Sequence, residues 1–288
     1  MKHCSILKQC YYQNKLLKMS NLEEVRKILD KYGLHPKRSL GQNFLIDQNI
    51  IDKIVKAAEI KKEDNILEIG PGLGLITKEL DKHSDSVLAI EKDTLFTKIL
   101  KEFNFKNIKI IEADILEYIK ENDISKYKIV ANIPYYLTSN LIRNLLESPN
   151  QPKEIYLVMQ KEVAERICEK KGNILSISVK YYAAPKVCFN ISKHSFWPSP
   201  KVNSALIRII PVKKYEEKDK FFFKIIKAGF SSPRKKLISN LSQGLKIRKE
   251  RLEEIFNRNN ISKDVRAEKL LIEEWNKLVY NFIDENTY

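Results

Sequence analysis

From Asn65 onward, short apolar runs rich in Ile and Val alternate with amphipathic stretches. That alternation is the pattern of strand–helix units feeding a parallel sheet. The runs predict strands over residues 65–69, 86–91, 107–112, 128–132 and 154–160, and helices over 75–82, 94–103, 139–147 and 162–170. Upstream, residues 21–31 and 48–58 have helical periodicity and flank a loop containing Ser39, Gly41, Gln42 and Asn43. Downstream, 186–191 and 202–210 predict a final strand pair around a turn marked by Pro198 and Pro200. Past Pro211 a charged run, 213–220, gives way to helical periodicity alone, with helices expected over 221–230, 234–243, 249–258 and 273–283. A domain boundary therefore falls near residue 212. The expected organisation is an α/β domain over 21–212, a small all-α domain over 213–288, and an N-terminal extension over 1–20.

Composition narrows this picture. Of 288 residues, 43% are apolar, enough for a sizeable core, and no stretch approaches a membrane span. The net charge is +15, with +6 in residues 1–40, +3 in 41–212 and +6 in 213–288. A nearly balanced globule with basic ends suits a polyanionic partner. A lysine-rich proteome that coats every surface with Lys explains the charge equally well. Cys4, Cys10, Cys168 and Cys188 are scattered, without disulfide or zinc spacing, so a reducing, cytoplasmic location and no metal are expected. Residues 1–18 lack the apolar run of a secretory signal, and Met19 is a second possible start; the segment reads as a disordered extension or a misassigned start.

Glu68-Ile69-Gly70-Pro71-Gly72-Leu73-Gly74 follows a strand and opens a helix, as a nucleotide-binding loop must. Its spacing is G-x-G-x-G, and taken alone it is as readily a structural turn. Two acids add weight. Glu91 ends the second strand, where a carboxylate can accept both hydroxyls of a ribose, and Asp114 lies just past the third, at the height of an adenine amine. Each taken singly reads as a helix cap or strand-end acid. With neither a Walker lysine nor dinucleotide spacing, the set points to S-adenosylmethionine and methyl transfer rather than to ATP or NAD. The fold expectation is thus a Rossmann-like methyltransferase sheet with a helical C-terminal domain.

Asn132-Ile133-Pro134-Tyr135 follows the fourth strand. An exocyclic amine on a base is a poor nucleophile because its lone pair is delocalised into the ring. Two acceptors, the Asn132 side-chain carbonyl and the Pro134 backbone carbonyl, can hold it and turn the lone pair toward a methyl group. Tyr135 can then stack on a base flipped out of its helix. An ordinary Asx turn with a buried Tyr accounts for the same four residues. His194 is not needed, since a methylated amine loses its proton without a strong base. Tyr181-Tyr182 and Phe221-Phe222-Phe223 read as core.

At this point the chain resembles a known family, the ribosomal RNA adenine N6-dimethyltransferases, and within it the small-subunit enzymes of the KsgA or RsmA type. The resemblance runs from about Lys37 to the C-terminus. Besides the two motifs above it rests on Ser39-Leu40-Gly41-Gln42-Asn43-Phe44-Leu45, Met159-Gln160-Lys161-Glu162-Val163, Phe196-Trp197-Pro198-Ser199-Pro200-Lys201-Val202 and Phe230-Ser231-Ser232-Pro233-Arg234-Lys235-Lys236. It implies that S-adenosylmethionine is contacted by Asn43, Leu45, Gly70, Glu91, Asp114 and Asn132, and that Tyr135 and Phe196 sandwich the target adenine. It further implies that the helical domain helps dock RNA, with Arg234, Lys235 and Lys236 as phosphate contacts at the start of a helix. The implied reaction is dimethylation of two adjacent adenines in the 3′-terminal hairpin loop of small-subunit (16S) rRNA within a pre-ribosomal particle, with no membrane and no obligate protein partner. Asn203 stands where the family usually has Asp, and Ser232-Pro233 where it has Gln-Arg. Two rivals remain at this stage: a large-subunit adenine methyltransferase of the macrolide-resistance type, and a non-catalytic nucleic-acid-binding relative.

Overall fold

A computed structural model of the chain describes residues 19–36, 41–169, 172–214, 216 and 219–284. Of the expected N-terminal extension, residues 1–18 lie outside these, as do Ser39 and Leu40 of the first family block. Helix α1 (Asn21–Lys31) starts at Ser20 through a reciprocal cap. The Ser20 hydroxyl accepts from the Glu23 N–H, and the Glu23 carboxylate accepts from the Ser20 N–H. The chain continues through β1 (Phe44–Leu45), α2 (Gln48–Ala57), β2 (Asn65–Ile69), α3 (Leu75–His83), β3 (Ser86–Glu91), α4 (Thr94–Lys101), β4 (Ile108–Glu112) and α5 (Ile115–Glu121). It then forms β5 (Tyr127–Asn132), α6 (Tyr135–Leu146), β6 (Glu154–Gln160), α7 (Lys161–Cys168), α8 (Ile174–Tyr182), β7 (Ala183–Ile191), β8 (Phe196–Trp197) and β9 (Ser204–Pro211). Helices α9 (Asp219–Gly229), α10 (Leu237–Leu245), α11 (Lys249–Arg258) and α12 (Ile272–Asp284) follow.

Seven strands form one sheet in the order β4-β3-β2-β5-β6-β9-β7. The first five are parallel, and β9 runs antiparallel to both its neighbours. This is the expected Rossmann-like α/β class. Successive strand residues point to opposite faces, and both faces are buried. Ile66, Val87, Val130, Tyr156 and Val158 pack with α1 to α4, while Leu67, Ile69, Ile90, Ile129 and Leu157 pack with α5 to α8. The four C-terminal helices join that second cluster through Phe222, Ile226, Leu241, Phe256 and Trp275. No described helix is long and apolar enough to cross a membrane.

Several boundaries differ from the periodicity. Helix α6 begins at Tyr135 rather than residue 139, because Pro134 sits at the N-cap in extended geometry, where no backbone N–H is required. Helices α5 and α8 have no counterpart among the expected elements. The run 234–236 precedes α10 instead of starting it, since the helix opens at Leu237 with Lys236 as N-cap. Tyr182, Phe222 and Phe223 are buried as expected, but Phe221 is 43% exposed.

Where the sheet hands over to the C-terminal helices, Asp219 is fully buried. Its Oδ1 accepts from Lys213 Nζ at 2.6 Å and from Tyr181 Oη at 2.7 Å, and its Oδ2 from the Glu216 N–H at 3.0 Å. Burial pushes the carboxyl up, but these donors outweigh it and hold Asp219 below the usual carboxylate range. Asp219→Ala should therefore cost about 2–3 kcal/mol in chemical denaturation at neutral pH. A carboxyl held low stabilises above its unfolded value and loses that contribution as pH falls through its folded value, so the gap to wild type should close in acid. A gap that is absent, or unchanged in acid, contradicts this latch.

Candidate active site

Ile69 is paired with Ile90 of β3 and with Ala131 of β5. One residue further on, Gly70, Glu91 and Asn132 therefore emerge side by side at the carboxyl end of the parallel strands, beside the point where strand order reverses. The Gly70 N–H still donates to the Ile90 carbonyl at 2.9 Å before the chain turns away. Gly70, Gly72 and Gly74 have φ of +66°, +56° and +81°, a region that side chains with a Cβ rarely adopt. The turn they permit aims the Gly72 N–H at Glu91 Oε2, 3.0 Å away, while the Asp93 N–H donates to Oε1 at 2.9 Å. Farther out, the Ala113 N–H donates to the Glu91 carbonyl at 2.9 Å and sets Asp114 just past β4.

These residues line one cavity of about 570 Å³, together with Asn43, Leu45, Pro134, Tyr135 and Phe196. The N-terminal loop reaches it by strand pairing. Leu45 of β1 lies opposite Phe196 of β8, the Ile46 N–H donates to the Ser195 carbonyl at 2.9 Å, and Ser195 Oγ donates to Asp47 Oδ2 at 3.0 Å. Asp47 also caps α2 through the Asn49 N–H. On the other side, Gly41 (φ +67°) packs so closely that a Cβ there would stand 3.1 Å from Pro134 Cβ. Arg234, Lys235 and Lys236 lie outside the cavity on an exposed turn, and Lys236 is ion-paired with Asp264 at 2.6 Å.

The polar groups differ in what they have free. Burial pushes the Glu91 carboxyl up, opposed by the backbone amides of Asp93 and Gly72. Asp114 is both a helix cap and a cavity acid. Its Oδ1 accepts from the Leu116 N–H at 2.8 Å and its Oδ2 from Lys92 Nζ at 2.8 Å, and the Lys92 ammonium holds its carboxyl below the usual range. Asn43 Nδ2 donates to the Gly41 carbonyl at 3.2 Å. Pro134 accepts the Leu137 N–H at 3.0 Å, which leaves its carbonyl a second lone pair. Tyr135 Oη and Ser204 Oγ are 2.7 Å apart. The half-buried Asn132 amide has no hydrogen-bond partner among the described residues.

The cavity also contains residues to which the sequence motifs assigned no role. Glu68 of β2 is buried with Oε2 unpaired, and burial, helped by the charge of Glu91, pushes its carboxyl up to about 8. The signal for it was an acid inside the apolar run Ile66-Leu67-Glu68-Ile69. Lys92 and the 71%-exposed Tyr136 stand at the cavity mouth, each immediately following an expected site residue. A carboxyl whose folded value lies above its unfolded one favours the native state while protonated there, and that preference fades as pH rises toward the folded value. The stability of wild type relative to Glu68→Gln should therefore fall between about pH 5 and pH 8. Denaturation at a series of pH values reads this directly; a flat difference contradicts a protonated Glu68.

Residues 33–284 match the family model described as ribosomal RNA adenine dimethylase. The chain is 37% identical over 273 residues to the ribosomal RNA small subunit methyltransferase A of Dehalococcoides mccartyi, covering 91% of this chain and 94% of that protein. It is 40% identical over 273 residues to the protein of that name from Bacillus pumilus, covering 88% and 93%. Among solved structures, a dimethyladenosine transferase from Plasmodium falciparum superposes with a TM-score of 0.71 at 26% identity, over 84% of this chain and 98% of that one. The 23S rRNA methyltransferase ErmE has the same fold, with a TM-score of 0.65 at 24% identity over 83% and 98% of the two chains.

Proposed function

The chain belongs to the ribosomal RNA adenine dimethylase family, and on that premise we propose that it dimethylates N6 of two adjacent adenines in the 3′-terminal hairpin loop of small-subunit rRNA, with S-adenosylmethionine as methyl-donor substrate. The observation that carries this reading is the row Gly70, Glu91, Asn132 opening into a cavity in which the Asn132 side-chain amide has no hydrogen-bond partner among the described residues. Glu91 is suited to the donor's ribose, because a carboxylate pinned by two backbone amides still has lone pairs for two hydroxyls. Asp114 serves the adenine amine of the donor, with Asn43 and Leu45 closing the site from the N-terminal loop.

In the first transfer Asn132 Oδ1 and the Pro134 carbonyl accept the two N6–H bonds of the target base, which localises the nitrogen lone pair; in the second, the one remaining N6–H serves one of them. The N–CH₃ bond forms as the S–CH₃ bond breaks, its electrons return to sulfur, and a proton leaves N6. Tyr135 and Phe196 hold the flipped base by stacking. The curated relatives' names favour the small subunit over the large.

Labelling of naked ribosomal subunits with a radioactive methyl donor, followed by mapping of the modified nucleotides, tests the assignment. Dimethyladenine in the small-subunit hairpin is expected. Modification of large-subunit RNA, or none, overturns the proposal. Asn132→Ala should lower turnover by roughly a hundredfold or more while RNA affinity is retained, because one acceptor is lost. Equal single-turnover rates in variant and wild type would contradict the role of the amide. Neutralising Arg234, Lys235 and Lys236 together should weaken RNA binding and flatten its salt slope by about two, one per phosphate contact, since Lys236 is already paired with Asp264. An unaltered slope removes the run from the RNA footprint.

A further inference from the structure

The two rings read as flanking the target base come from distant parts of the chain, Tyr135 from the first turn of α6 and Phe196 from β8. Both are tied to one two-residue corner, Asn203-Ser204. Ser204 is fully buried and begins β9, where its backbone stands opposite Gln160 of β6 and Ile191 of β7. Its hydroxyl lies 2.7 Å from Tyr135 Oη. Asn203 Oδ1 accepts from the Lys193 N–H at 3.0 Å, and its carbonyl accepts from the Lys161 N–H at 3.0 Å. Lys193 opens the short turn Lys193–Ser195 that runs directly into Phe196. The corner is thus anchored in three strands and grips the Tyr135 ring with one residue and the approach to Phe196 with the other.

We propose that Asn203 and Ser204 are positioning residues that set the slot between Tyr135 and Phe196 in which the target base stacks. Stacking on two faces tolerates little error, because a gap widened by a fraction of an ångström forfeits much of the dispersion contact. The corner also accounts for Asn at 203, where the family usually has Asp. The grip on Lys193 needs only an acceptor oxygen, which an amide supplies as well as a carboxylate.

This inference rests on the proposed function, and wild-type turnover on naked small subunits tests that function by itself. The corner is tested by a double-mutant cycle in the full-length protein with Ser204→Ala, Tyr135→Phe and the pair, read as kcat and as affinity for S-adenosylmethionine. A hairpin RNA carrying 2-aminopurine at the target adenine reports stacking by its fluorescence. Each single change should lower kcat roughly tenfold and alter the fluorescence of the bound RNA, with donor affinity unchanged. The double variant should be no worse than either single, since both remove the same contact. Asn203→Ala should show a similar loss, rescued by Asn203→Asp. Independent effects, roughly a hundredfold in the double variant, overturn the proposal while leaving the functional reading intact. So does unperturbed 2-aminopurine fluorescence, or Asn203→Ala turnover equal to wild type.

Discussion

Five parallel strands held in register must end close to one height, and that constraint builds the site. Because Ile69, Ile90 and Ala131 are paired across three neighbouring strands, the residues that follow them cannot avoid converging. Each leaves the sheet differently. Gly70 turns back over the strand ends, Glu91 is held by two backbone amides, and Asn132 lies two residues before Pro134, the N-cap of α6. Chemistry that needs a backbone approach, a carboxylate and an amide within one cavity thus follows from hydrogen-bond register together with three local sequence choices.

Around this row the structure trades burial against hydrogen bonding in different proportions. At Glu68 burial, with the neighbouring Glu91 charge, outweighs the opposing Thr77 hydroxyl and pushes the carboxyl toward the neutral form. Glu91, one strand away, is buried too, yet its amide donors counter part of that push. Asp114, at the rim, has a lysine beside it and stays an anion. Three acids on or just past successive strands therefore differ in proton affinity, an outcome of depth below the surface and of donors supplied by the backbone. The walls have further ties outside the seven-stranded sheet. The pairing of β1 with β8 attaches the N-terminal loop to Phe196, and the contact of Gly41 with Pro134 brings the same loop against the turn that begins α6.

Much of this was legible in the sequence because the relevant signals are local. The parallel strands are Ile- and Val-rich runs of five to seven residues, and all five end on the residue expected. The glycine loop, Glu91, Asp114 and the Asn-Ile-Pro-Tyr turn declare themselves by following those strands. What the sequence does not show is non-local or lacks a period. Helix α8, Ile-Leu-Ser-Ile-Ser-Val-Lys-Tyr-Tyr, is buried on several sides and rich in β-branched residues, so it presents no polar face to mark it. Strands β1 and β8 are two residues each and exist only because they find one another. The basic run at 234–236, expected to start a helix, precedes it, because charge carries no conformational signal and the chain forms helix only from Leu237. Ser204 gives no sign in sequence of its contact with a tyrosine 69 positions away.

The most direct measurement is a crystal structure of the protein with S-adenosylhomocysteine and the small-subunit hairpin RNA. The arrangement of Gly70, Glu91 and Asn132 predicts a ribose with both hydroxyls on the Glu91 carboxylate and a splayed-out adenine whose amine is shared between Asn132 Oδ1 and the Pro134 carbonyl. A nucleoside seated away from Glu91, or an adenine amine pointing away from Asn132, would contradict it.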